Sequence, residues 1–189
     1  TLYLATPYVS RALARFIGNN STYGDRPFAV DMTVGPLYKA LAIAFTTGIA
    51  ILLASAGIFF ALAGTIDLQS LPFALESNPA AFIVPYLLLI LGFAFVAYPI
   101  YAVVLRNETY NNLSLDGRHR FSSTLSTRTF IWIAFTNALA VIFTLGLMSP
   151  WARVRMTTYL ASETALLANG PLDNFVSTVK AESGVVGDE

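Results

Sequence analysis

Ala40 to Gly64 is an unbroken run of 25 residues without a charged side chain. As a helix rising about 1.5 Å per residue, it exceeds the roughly 30 Å hydrocarbon core of a bilayer. Ala80 to Leu105 is a second uncharged run of the same kind, with Pro85 and Pro99 near its ends. Such stretches expose no charge to water and satisfy their backbone only as helices. They predict an all-α integral membrane protein, with spans at about 40–64 and 80–105. Composition agrees: only 12% of the 189 residues are charged, about half the fraction of a soluble domain.

Phe130 to Met148 is a third apolar segment, 19 residues long and just sufficient to span. It contains Thr136 and Asn137. An asparagine in lipid needs a partner, so an interhelical hydrogen bond is expected there, with a ligand contact as the alternative. The segment ends at Pro150, Trp151, Arg153 and Arg155, a proline, an aromatic and two cations in the order of a helix meeting an interface. Arg11 and Arg15, one turn apart on a short amphipathic piece from Ser10 to Gly18, read as a second interfacial anchor. The alternative is an arginine pair that binds anionic lipid or substrate. Within the first span, Gly48 (with Ala44) and Gly57 (with Ala61) are small residues at i, i+4, the spacing that lets another helix approach.

Between the spans lie polar inserts at 19–36 and 106–129. Asp116-Gly117 marks a β-hairpin on the membrane surface in the second, with His119 in an exposed basic loop beside it. Thr65 to Pro79 is a short loop, and Ser77-Asn78-Pro79 a helix start. Residues 151–182 read as amphipathic and helical: Trp151 to Ala168, then a second helix carrying Leu172, Phe175, Val176 and Val179. Thr1 to Val9 reads as the stub of a preceding membrane helix. The whole is expected to be one membrane domain, the C-terminal part of a longer chain.

Two pieces recur. Thr-Leu-x-Leu-x-x-Pro-aromatic stands at Thr1 to Tyr8 and at Thr144 to Trp151. Asn20, Thr22, Tyr23, Gly24 and Phe28 match Asn107, Thr109, Tyr110, Gly117 and Phe121, with six residues inserted. Together they predict an internal repeat, an architecture familiar in transporters. The run from Asn107 through Phe121, Thr136-Asn137, Thr144-Leu145-Gly146-Leu147 and Pro150-Trp151-Ala152-Arg153-Val154-Arg155 is similar to the C-terminal part of the YjgN-type bacterial inner-membrane proteins. The first copy departs from that pattern, with Tyr3 in place of the glycine and Tyr8 in place of the tryptophan. The resemblance implies a multi-pass protein of the bacterial inner membrane and a longer parent chain. It brings no catalytic residues.

Lysines and arginines number four in Thr1 to Lys39, none in Thr65 to Pro79, four in Arg106 to Thr129 and three in Ser149 to Glu189. The positive-inside rule then puts the first and third of these in the cytoplasm and the Thr65 to Pro79 loop in the periplasm. The last segment is in conflict. As a span, residues 130–148 carry Arg153 and Arg155 outward; as a re-entrant segment they return them. The span is the preferred reading, because 19 apolar residues ending at an interfacial tryptophan form an ordinary one.

No nucleophile motif, phosphate loop or paired-carboxylate signature occurs, and a lone histidine with no cysteine gives no zinc or haem signature. No enzyme activity, cofactor or nucleic-acid partner is expected. The favoured function is a scaffold or partner-binding subunit, contacting lipids and either another membrane protein or a second copy. The alternative is a transporter or lipid-handling protein.

Overall fold

The computed structural model describes residues 4–63, 73 and 76–169. Six long α-helices and five short strands are defined among the described residues. Helix α1 (Thr6–Asn19) leads to the hairpin β1 (Thr22–Tyr23) and β2 (Arg26–Val30). Helix α2 (Gly35–Ala63) goes out from the sheet. Helix α3 (Ala80–Gly92), a π-helical stretch (Phe93–Ala97) and α4 (Tyr98–Asn111) form one continuous return. The hairpin β3 (Leu113–Leu115) and β4 (His119–Ser123) follows, then α5 (Thr127–Phe143), α6 (Ser149–Ser162) and β5 (Thr164–Leu167).

The strands form one antiparallel sheet in chain order, β1-β2-β3-β4-β5. The chain is mostly helical, as expected, and the β-hairpin-like inserts come together in this one small sheet. The surface inserts are not separate hairpins: Phe28 pairs with Leu115 and Val30 with Leu113, which joins the two inserts edge to edge. Both tight turns need a left-handed backbone, supplied by Gly24 at φ 62° in the first and by Asp116 and Gly117 at φ 54° and 63° in the second. Each helical excursion leaves from one strand and returns to the next. The sheet is therefore the root of the molecule, with a core of Val30, Met32 and Leu37 beneath it, packed by Ala14, Tyr101, Val104, Leu105 and Leu113.

Two helical runs are long and apolar enough to cross a membrane, Gly35–Leu62 and Ala80–Asn111. Only 11% and 17% of their most apolar windows are buried within the protein, so most of that surface faces outward. They pack against each other where side chains are smallest. A Cβ on Gly48 would stand 3.0 Å from the Phe93 ring, and one on Gly92 would stand 2.7 Å from a methyl of Ile51. A Cβ on Gly57 would meet nothing within 4 Å. The hydroxyl of buried Ser55 donates to the Pro85 carbonyl, 2.6 Å across the same interface. The π-helical stretch directly precedes Pro99. Widening the helix there relieves the clash of the proline ring with the preceding turn.

Three helices share one design. Helices α1, α4 and α6 are each 14 residues long, carry proline as their second residue (Pro7, Pro99, Pro150), and give way within three residues to a strand. Proline suits that place at the starts of α1 and α6, because the first N–H groups of a helix have no partner within it; Pro99 lies inside the continuous return, where the π-helical stretch accommodates it.

Several boundaries differ from expectation. Thr6 to Val9 belongs to α1, so that part of the predicted stub is the start of the arginine-bearing helix. The second long helix runs on through Asn111, placing Asn107, Thr109 and Tyr110 in helix where their matches Asn20, Thr22 and Tyr23 lie in a cap and a strand. The Gly24–Phe28 and Gly117–Phe121 halves of that match hold equivalent places, and the two phenylalanine rings meet at 6.1 Å. Helix α6 stops at Ser162, and Thr164–Leu167 pairs with β4 as a strand instead of continuing the predicted helix. Of the predicted loop from Thr65 to Pro79, residues 65–72, 74 and 75 lie outside the described residues, while Phe73, Glu76 and Ser77 are helical; the amphipathic helix predicted around Leu172 to Val179 also lies outside them.

Candidate functional site

The third apolar segment does not run on to Met148. Helix α5 ends at Phe143 after 17 residues, about 26 Å at helical rise. A tight turn then sends α6 back antiparallel to it. Three contacts fix the pairing. At the base, Ser126 N donates to Tyr159 Oη at 3.0 Å. Halfway up, Asn137 Nδ2 donates to the Ala152 carbonyl at 3.0 Å. Between these, Arg155 Nη1 donates to Thr136 Oγ1 at 2.7 Å and to Asn137 Oδ1 at 3.0 Å. The hairpin as a whole starts and ends at the sheet.

The shape of the turn is written in its residue order. Thr144 closes α5 and its hydroxyl works in both directions, donating to the Ala140 carbonyl at 2.7 Å and accepting from Met148 N at 3.1 Å. Leu145 and Gly146 take positive φ of 51° and 93°. Gly146 N reaches back to Val141 O and Leu145 N to Ile142 O, the bonding pattern of a Schellman cap. Thr144 N donates to Ala140 O, Leu147 N to Thr144 O and Ser149 N to Gly146 O. Every N–H from Thr144 to Ser149 thus has an acceptor inside the turn, and Pro150 has none to place.

The side chains of this turn are as apolar as its backbone is self-contained. Phe143 is 82% exposed, Leu145 94% and Leu147 85%. A leucine in the left-handed region costs about 1 kcal/mol relative to ordinary backbone, yet Leu145 makes no compensating burial within the chain.

The predicted site residues divide accordingly. Thr136, Asn137 and Arg155 form one cluster, with Asn137 buried and the Arg155 guanidinium 5.3 Å from the Trp151 ring centroid. Pro150 opens α6, and Arg153 is exposed on its outer side. Arg11 and Arg15 are far along the chain and act on the sheet root: Arg11 Nε donates to Met32 O at 2.8 Å, and Arg15 lies 3.8 Å from Asp31. His119, expected in an exposed loop, is 6% exposed on β4, with its Nδ1 accepting from Asn169 N at 3.3 Å.

Two arrangements escaped the sequence reading. Asn107 and Asn111, one turn apart on α4, clamp the end of β4. Asn107 Oδ1 accepts from Ser123 Oγ at 2.7 Å and Leu125 N at 3.1 Å, while Asn111 Oδ1 accepts from Ser123 N at 2.7 Å. Their i, i+4 spacing was the available signal. The second is an open groove of about 560 Å³ on the outer face of α5, lined by Arg128, Thr129, Ile131, Trp132 and Phe135.

Among the described residues no group of three or more histidines and carboxylates is placed to hold a metal ion. Neither curated proteins nor solved structures give a match to this chain. A family model does, over residues 1–189: the chain belongs to a bacterial protein family of unknown function, DUF898, the YjgN-type proteins its sequence resembles.

Proposed function

We propose that the chain is a multi-pass protein of the bacterial inner membrane, with the sheet at the cytoplasmic face, two full spans and a re-entrant hairpin. The turn at Thr144–Ser149 carries this reading. Backbone is tolerated in hydrocarbon only when its polar groups are satisfied internally, and exposed Phe143, Leu145 and Leu147 belong in lipid. The hairpin also removes the charge conflict. Arg11, Arg15, Arg26, Lys39, Arg106, Arg118, Arg120 and Arg128 lie on the sheet or the helix turns next to it. With α6 returning, Arg153 and Arg155 are no longer carried to the far side of the membrane, and the chain after Ser162 rejoins the cytoplasmic side.

Within the membrane the role is that of a scaffold or partner-binding subunit. The intramembrane polar groups Thr136, Asn137 and Arg155 are bonded to one another and to the backbone, which fixes a shape and leaves little for a moving solute. The three proline-led helices, each delivering the chain to a strand, support an internal repeat as the origin of that frame. A transport role is the second reading. One observation favours it: Arg155 lies at membrane depth with no carboxylate beside it among the described residues, which an anionic solute would answer.

Sizing the full-length protein from native membranes in a gentle detergent tests the scaffold role. A stable assembly larger than one chain is expected. A strictly solitary protein in several mild detergents would count against it and leave transport as the better account.

A further inference from the structure

The groove on α5 is graded along its length. Arg128 and Thr129 stand in the first turn of the helix, next to the sheet. Ile131 and Trp132 follow one turn on, and Phe135 closes it two turns from the start. Arg128 is exposed and has no ion-pair or hydrogen-bond partner among the described residues. The helix N-terminus beside it carries a positive dipole end, and Ser126 makes no side-chain capping bond there. Trp132 is 62% exposed and Phe135 is half-exposed, so the lower walls are open apolar surface.

We infer that this groove binds an anionic glycerophospholipid, with the phosphate at Arg128 and the N-terminus of α5, the glycerol region beside Thr129 and Trp132, and an acyl chain over Ile131 and Phe135. The inference rests on the membrane placement proposed above. In that placement Arg128 stands at headgroup depth. Phe135 lies seven residues on, about 10 Å deeper, where hydrocarbon begins. Cation, amphipathic ring and apolar ring thus follow the order of a phospholipid read from its headgroup. A partner helix would satisfy Trp132 and Phe135 but would leave the Arg128 charge unanswered.

Native mass spectrometry of the full-length protein with phosphatidylglycerol, phosphatidylcholine or inorganic phosphate tests this. Phosphatidylglycerol should be retained about fivefold better than phosphatidylcholine, the factor expected of one cationic contact with an anionic headgroup. Arg128→Gln should abolish that preference and Arg128→Lys should keep it. Trp132→Ala should weaken both lipids alike, and millimolar inorganic phosphate should not displace phosphatidylglycerol. Equal binding of the two lipids, or a preference untouched by Arg128→Gln, would overturn the site, as would displacement by free phosphate. A photocrosslinker replacing Trp132 in native membranes should give a lipid adduct, and a protein adduct would overturn the lipid assignment. Failure of the membrane placement itself reads out separately, as protein recovered outside the membrane fraction.

Discussion

Arg155 and Asn137 are bonded across the two arms of the α5/α6 hairpin, Nη1 to Oδ1 at 3.0 Å. The same asparagine gives its Nδ2 to the Ala152 carbonyl on the opposite arm. One side chain therefore holds the returning helix by its backbone and by its cation. The apolar segment and the Pro-Trp-Ala-x-x-Arg motif are in this sense one device: the proline restarts the helix, and the arginine one turn past the tryptophan meets the Thr-Asn pair.

That bond should be visible as an energetic coupling. Asn137→Ala and Arg155→Ala should each destabilise the protein by about 1 to 3 kcal/mol, because each leaves a polar partner unsatisfied. The double variant should cost less than their sum by about 0.5 to 1.5 kcal/mol, the range of interhelical hydrogen bonds within membranes. Unfolding of the single and double variants in mixed micelles measures it, and strict additivity would show that the contact contributes nothing.

The interface of α2 with α3 makes a second, opposite pair of expectations. Gly92→Ala drives a methyl against Ile51, already 2.7 Å from the position a Cβ would take. It should lower stability by about 1 to 3 kcal/mol as overpacking. Gly57→Ala enters open space and should be neutral, or stabilising by up to about 1 kcal/mol through helix propensity. Thermal unfolding of the two variants side by side checks the sign of each.

Asn107 ties α4 to the chain that enters α5. Asn107→Ala removes acceptors for Ser123 Oγ and Leu125 N together with a donor to Leu125 O. It should cost about 1 to 3 kcal/mol and speed amide exchange at Leu125. The Asn112 side chain, at the C-cap of α4, bonds only to Glu108 one turn back. Asn112→Ala should therefore cost well under half as much and leave Leu125 protected.

The long helices were legible because their signal is local: an uncharged apolar run of that length reads as a helix from its own residues. The Asp116-Gly117 turn was legible for the same reason, since few residues accept positive φ. The sheet was not. Its central pairing joins Phe28 to Leu115, 87 positions apart in the chain, and each insert alone carries too few alternating residues to announce a strand. Thr164–Leu167 likewise becomes a strand only because β4 is beside it. The hairpin was half legible. An interhelical hydrogen bond is expected at Asn137, and its side-chain amide donates to the Ala152 carbonyl, fifteen residues on. Nothing in the apolar count separates 19 residues that cross from 17 that turn. The Leu145-Gly146 pair was the signal, a place where the backbone reverses hand after Thr144.

The central claim is that α5 and α6 form a re-entrant hairpin with both ends on the cytoplasmic side. Single cysteines at Ser70, Thr124 and Ser162, in a chain that has no other, can be probed in spheroplasts with a membrane-impermeant thiol reagent. Ser70→Cys should label at once, while Thr124→Cys and Ser162→Cys should stay protected until the membrane is permeabilised. Labelling at Ser162 together with Ser70, while Thr124 remains protected, would mean that α5 crosses the membrane and would contradict the hairpin.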